Sequence, residues 1–198
     1  MSQTASSLSF EDYLNLDGEG WLRLGLPEGR CEYGNGELSE LPSESELNDF
    51  IANLLMFTLA SRGLVPLRLI RPGKCEIEVP GKPRTRYPDL VILREEHLAL
   101  TQKRLLITQQ MAPPVLVAEV VSPGDENRRR DYELKRFQYQ QRGIPEYWLI
   151  NPEQQIVTVL VLEEGEYVEL GSFRGAVAIV SPAIPNLALT ANEIFAVT

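Results

Sequence analysis

Histidine is nearly missing from this sequence: His97 is the only one. A histidine-based nucleophile relay needs a partnered imidazole, and a multi-histidine zinc centre needs several, so both are excluded. Cysteine is almost as scarce. Cys31 and Cys75 lie far apart and match no metal-ligand spacing, so both thiols are expected free, with a reducing cytoplasm as the default compartment. No apolar run approaches the ~20 residues of a membrane span. The first residues, "MSQTASSLSFEDYLNL", have no basic stretch followed by an apolar one, so no secretory signal is expected there. No serine sits in a Gly-X-Ser-X-Gly turn, which argues against a serine hydrolase. Positive charge is also in short supply. With 19 Lys and Arg against 28 Asp and Glu, the net charge is −9, and a protein that wraps duplex DNA is usually basic. The one dense basic stretch is "NRRRDYELKRF", residues 127–137.

The chain has 198 residues, 43% of them hydrophobic, enough for one compact domain. "SFEDYLNLD" predicts a short helix capped by Ser9, within an N-terminal helical appendage over residues 1–29. The main domain is expected to span 30–198. Asn35-Gly36 in "RCEYGNGELSEL" is a strong hairpin signal. "SESELNDFIANLLMFTLASRG" reads as a long helix, capped by Ser43 or Ser45 and closed by Gly63. Its core face is expected at Leu47, Phe50, Ile51, Leu54, Leu55 and Leu59. A second hairpin is expected to turn at "RPGK" between "LVPLRLI" and "CEIEV". "RYPDLVIL" reads as a strand and "PVLVAEVV" as one buried on both faces. A helix capped by Asp125 and stopped by Gly143 follows. Then come strands at "PEYWLIN", "QIVTVLVL" and "EYVELGSF", the last two joined at "EEGE", and finally a strand at "AIVS", a Pro-rich loop and a short helix. The fold class is α/β (α+β), a largely β centre with one long helix before it and another between strands.

Two carboxylates stand inside hydrophobic strands: Asp89 in "YPDLVIL" and Glu119 in "VLVAEVV". Acids are depleted in strands and seldom buried unpaired. Two acids brought into one half-buried site must lose a charge, raise a pKa or bind a cation. Hard oxygen ligands suit Mg²⁺ or Mn²⁺, and the backbone carbonyl of Val120 is a further candidate ligand. Lys135 shares a helical stripe with Tyr132 and Tyr139, and Leu134 and Phe137 lie roughly opposite. The wheel alone leaves open which side meets the sheet. Ordinary alternatives stand beside each residue: turn chemistry for Asp89 after Pro88, an arginine partner or solvent for Glu119, and an exposed ion pair with Asp131 for Lys135.

"RYPDLVIL", the run from "PVLVAEVVSPGD" through "EYWLINPE", and the closing "GAVAIVSPAIPNLALTANEIF" resemble the Uma-type family of restriction-endonuclease-like proteins. The likeness extends from about Glu32 to the C-terminus. It implies a mixed central sheet flanked by helices, with additional C-terminal hairpin strands. It also implies a metal-dependent nuclease with a Pro-Asp, then Asp/Glu-X-Lys pattern. Pro88-Asp89 matches the first part and Glu119 the acid of the second, but Val121 stands where the pattern has lysine. In the Uma-type family a lysine on the next helix is thought to take its place, which here is Lys135. By the same resemblance Asp89 and Glu119 hold Mg²⁺ or Mn²⁺, the substrate is nucleic acid (DNA ahead of RNA), and the protein is a homodimer. Glu44 or Glu46, near the start of the long helix, is a candidate extra acid. Arg128, Arg129 and Tyr139 are candidate substrate contacts. The competing reading keeps the fold but makes it a weak or inactive binding or regulatory module.

Overall fold

A computed structural model describes residues 8–26 and 29–196. The expectation for the first seven residues, and part of the proposed domain boundary near 29, lie outside them. Helix α1 (Phe10–Asn15) begins at Ser9, whose hydroxyl accepts the Asp12 N–H, as its sequence predicts. It is followed by α2 (Gly18–Arg23). The hairpin β1 (Cys31–Gly34) and β2 (Glu37–Glu40) turns at Asn35 and Gly36, both with positive φ (52° and 86°), the conformation that favours this dipeptide.

Helix α3 (Glu46–Ser61) is capped by Ser45, whose hydroxyl accepts the Asn48 N–H at 3.2 Å. Its phase differs from the expected one. The buried stripe is Asn48, Ile51, Ala52, Leu55 and Leu59, whereas Phe50 is 36% exposed and Leu47 and Leu54 are only half-buried. From Phe50 to Ala60 only Asn53 and Thr58 are polar, so periodicity alone leaves the rotation loose. The helix is turned to bring Asn48 onto the neighbouring sheet.

The "RPGK" hairpin does not form. The chain instead changes sheets there: β3 (Ile70–Pro72) pairs with β6 (Leu90–Ile92). Beyond Gly73, β4 (Glu76–Glu78) joins a small sheet, pairing antiparallel with β5 (Thr85–Arg86) and parallel with β7 (Leu106–Ile107). Gly73 has φ +55° and its N–H donates to the Asp89 carbonyl, which fixes the departure from β3. Buried acids on β4 carry the small sheet's polar links. Glu76 accepts the Tyr13 hydroxyl at 2.5 Å and Arg104 at 2.9 Å, which docks α1 onto it.

After α4 (Glu95–Leu100) comes β8 (Leu116–Val120), every residue of it buried, as the apolar run predicts. The main sheet has six strands in the order β11-β10-β9-β8-β6-β3, where β9 is Glu146–Asn151, β10 Ile156–Glu163 and β11 Glu166–Arg174. Only β8 and β9 among these neighbours run parallel. Their crossover is a helix in three parts: α5 (Asp125–Arg129), a π-helical turn (Arg130–Lys135) and α6 (Arg136–Arg142). Gly143 ends it in the left-handed conformation, as expected. At the other end the cap is Gly124; Asp125 is the first helical residue and supplies no capping bond. Near the C-terminus the expected "AIVS" strand reduces to one bridge, Ala178 to Thr190, before α7 (Ala191–Phe195). That loop is tied down instead by buried Glu146, which accepts Trp148 Nε1, the Ser181 hydroxyl and the Ala183 N–H.

The core lies between the main sheet and its helices and includes Trp148, Tyr139, Tyr147, Leu55 and Leu59, all essentially inaccessible. Each such side chain contributes roughly 1.5–3 kcal/mol. The architecture is therefore a six-stranded mixed sheet flanked by helices, with β10 and β11 as the extra hairpin. Both cysteines are buried and unbonded to each other. Among the described residues no helix is long and apolar enough to cross a membrane.

Candidate active site

Strands β6 and β8 are antiparallel neighbours, with Leu90 opposite Ala118. One step further along this register Asp89 falls opposite Glu119, and directly opposed residues point to the same face. The two acids thus meet because of the ladder, and Asp89 Oδ2 accepts the Val120 N–H at 2.6 Å. The crossover helix supplies the rest. Glu119 Oε2 accepts Lys135 Nζ at 2.6 Å and Oε1 accepts the Tyr139 hydroxyl at 2.6 Å. Leu134 and Phe137 are largely exposed, so the Lys135 and Tyr139 side of the helix faces the sheet.

Lys135 and Asp131 form no surface pair. Lys135 is 6% exposed and Asp131 1%, and Nζ lies 3.1 Å from Asp131 Oδ1 as well as against Glu119. Both belong to the π turn, a rare geometry that often marks functional sites. Arg130 Nε also reaches Asp131 Oδ1 at 3.1 Å, while Asp131 Oδ2 is buried without a partner. From the other side Asn48 Nδ2 donates to the Val120 carbonyl at 3.1 Å and to Ser122 Oγ at 3.0 Å.

Asp89, Glu119, Val120 and Lys135 all line one cleft of about 230 Å³, together with Asn48, Ser122, Arg130, Tyr87 and Glu44. Of the two acids at the helix start, Glu44 lines it, ion-paired with Arg30 at 3.2 Å; Glu46 is exposed and does not. Arg128 and Arg129 do not line it either. They pair with Glu153 and Glu133, while Arg130, the third of the run, turns inward. Val121, standing where the superfamily pattern has lysine, is core and donates its N–H to Ile150.

Burial, then the charge of Glu119, pushes the Asp89 carboxyl well above the ordinary carboxylate range, with Lys135 pulling against them. Burial also raises Glu119, opposed by the ammonium at 2.6 Å. Burial alone would lower Lys135, but Glu119 and Asp131 more than offset it and hold the ammonium charged. Burial and Glu119 push the Tyr139 phenol far up, so it stays a donor.

Charge pairing in the cleft is uneven. Glu32, Glu44, Glu119 and Asp131 each have a basic partner within 3.2 Å, whereas Asp89 has none among the described residues. Among the described residues no three His, Cys, Asp or Glu side chains form a ready-made metal cluster. Two acids, one uncompensated, nonetheless fit a hard divalent cation, which keeps several waters and takes one or two carboxylates. The Val120 carbonyl, the third candidate ligand, has one lone pair engaged by Asn48.

Sequence reasoning missed Asn48, Arg130, Asp131 and Tyr87 as parts of this cleft. Asn48 had a legible signal, a lone amide within a helix face that is otherwise apolar. Asp131 had one in its spacing from Lys135, which the π turn converts into burial.

No curated protein matches the chain. The solved structure of a putative nuclease belonging to DUF820, from Anabaena variabilis, superposes with a TM-score of 0.62. It covers 96% of this chain and 98% of that one at 15% identity, a likeness of fold. A family model, Uma2, described as "Putative restriction endonuclease", matches residues 10–192. With nearly its whole length matched, the chain belongs to the Uma2 family of restriction-endonuclease-like proteins.

Proposed function

We propose that the protein is a Mg²⁺- or Mn²⁺-dependent endonuclease that hydrolyses phosphodiester bonds, on DNA ahead of RNA. The observation that carries this reading is Asp89: a carboxylate without an ion-pair partner among the described residues, set beside a second carboxylate and an ammonium in one cleft. Asp89 and Glu119, with the Val120 carbonyl beside them, would hold the cation. When bound, such an ion neutralises phosphate charge and lowers the pKa of water.

The chain's own residues have distinct tasks in this reading. Lys135, kept protonated by Glu119 and Asp131, brings a fixed positive charge to the phosphate oxygens as negative charge develops. Tyr139 and Lys135 together fix both oxygens of Glu119, and Asn48 fixes the strand end through the Val120 carbonyl. These groups are held before substrate arrives, so little reorganisation is left to the reaction. A homodimer accompanies this reading through the family resemblance, and a cytoplasmic setting through the two free cysteines.

The second reading, a nuclease-fold module that binds without cutting, is favoured by two features. Both Glu119 oxygens are already engaged, and the net charge of −9 disfavours a broad nucleic-acid surface. Calorimetric titration of Mg²⁺ and Mn²⁺ into wild type and Glu119→Ala, with cleavage assays on DNA and RNA, separates the two. Saturable binding lost in the variant, with metal-dependent cutting, supports the nuclease. Binding without cutting supports the module, and no binding by wild type removes the metal site.

A further inference from the structure

The cleft at Asp89 continues into a larger recess of about 560 Å³, with which it shares Arg30, Glu44, Asn48, Tyr87 and Asp89. That volume falls within the roughly 300–1,000 Å³ of sites that enclose a small molecule. Three features of the recess bear on its occupant. Lys74 lines it, is exposed, and makes no ion pair among the described residues, unlike the cleft's Arg30, Arg130 and Lys135. Arg30 is pinned beside it, donating to the Gly73 carbonyl at 2.9 Å and to Glu44. Tyr87 lines both cavities, and burial together with the nearby charge of Glu76 pushes its phenol up, so it stays protonated.

The reacting groups themselves are recessed. Glu119 is 1% exposed and Lys135 6%. A nucleotide of an unpaired strand enters such a recess without the unpairing and unstacking cost that a duplex nucleotide carries. The net charge of −9 also disfavours the extensive phosphate neutralisation on which duplex binding relies. Lys74, without an ion pair among the described residues, and the Tyr87 ring beside a nucleotide-sized recess match single-strand recognition, in which bases stack on rings and a few cations track the backbone.

We propose, resting on the nuclease reading above, that this recess is a subsite for one nucleotide of an unpaired DNA strand, with Lys74 on the flanking phosphate and Tyr87 beside the base. The test titrates the full chain into a fluorescent single-stranded oligonucleotide and into the duplex of the same sequence, over a range of salt. Binding is read in Ca²⁺ and cutting in Mg²⁺, for wild type, Lys74→Ala and Lys74→Arg. Wild type should prefer the single strand about tenfold or more, the equivalent of one base stack. Lys74→Ala should lower the slope of log affinity against log salt by about 0.7, the value of one single-strand phosphate contact, and Lys74→Arg should retain it. Equal binding of duplex, or a slope indifferent to Lys74→Ala, overturns the subsite. Cutting of duplex alone overturns it and leaves the nuclease reading standing. Lys74-dependent binding of the single strand with no cutting keeps the subsite and removes the nuclease reading.

Discussion

Asp89→Asn removes one negative charge from the cleft while keeping its hydrogen bond, since the asparagine amide oxygen can still accept the Val120 N–H. Its amide nitrogen can in turn donate toward Glu119. Burial and Glu119 hold the Asp89 carboxyl well above its ordinary value. A carboxyl whose pKa is higher folded than unfolded favours the native state while protonated. Its contribution is full below the unfolded value of about 3.9 and is lost as the pH rises through the folded value. The asparagine variant has no such loss. The two proteins should therefore be close in stability near pH 4 and diverge above it, with the variant ahead at pH 7.5 by about 1 kcal/mol. For a chain of this length that is about 2–4 °C in Tm, readable by scanning calorimetry in metal-free buffer. Mg²⁺ should reverse the order. At ten times its Kd the ion stabilises wild type by about 1.4 kcal/mol, and it should leave the variant almost unchanged. A variant less stable than wild type at pH 7.5 without metal would falsify the claim that Asp89 is an uncompensated charge.

Three further outcomes are expected. Lys135→Met strands Glu119 and Asp131 together in the interior and should cost about 3–5 kcal/mol in urea unfolding, part of it recovered on adding Glu119→Gln; a change under about 1 kcal/mol would contradict the buried pairing. Tyr139→Phe deletes the donor to Glu119 Oε1 and should cost about 1–3 kcal/mol, and unchanged melting would mean that the carboxylate is satisfied another way. Arg128→Ala and Arg129→Ala remove exposed ion pairs outside the cleft, so each should alter stability by less than about 0.5 kcal/mol and leave the salt slope of DNA binding intact; a shallower slope would restore them as phosphate contacts.

Local chemistry made much of the fold legible. Asn35-Gly36 names its turn, Gly143 its stop and the unbroken apolar run around Glu119 its central strand, while the helix cap was narrowed to Ser43 or Ser45, of which Ser45 serves. Three of the misreadings share a cause, since each depends on a partner distant in the chain. The rotation of α3 is set by Asn48 reaching the end of β8, 72 residues away. Gly73 reads locally as a hairpin turn, but it carries the chain out of one sheet and into another. "AIVS" has strand composition, yet Glu146 holds its neighbourhood as a loop. In the cleft, the embedded acids and the stripe of Lys135 and Tyr139 were visible because strand parity and helical spacing are sequence properties. Which arginine of "RRR" turns inward was not, because that follows from the π turn, which no simple period encodes.

The cleft is assembled from parts that tolerate change unequally. Its acids belong to paired central strands, where shifting either by one residue would send its side chain to the opposite face. Their places in the chain are therefore rigid. An ammonium is different: it sits at the end of a long flexible stem, and any backbone position from which it can reach Glu119 Oε2 would deliver the same charge. A lysine can thus migrate along a gene while the carboxylates it serves stay put. Here Val121 lies in the core, and the ammonium at Glu119 Oε2 comes from Lys135, 16 residues further along the chain.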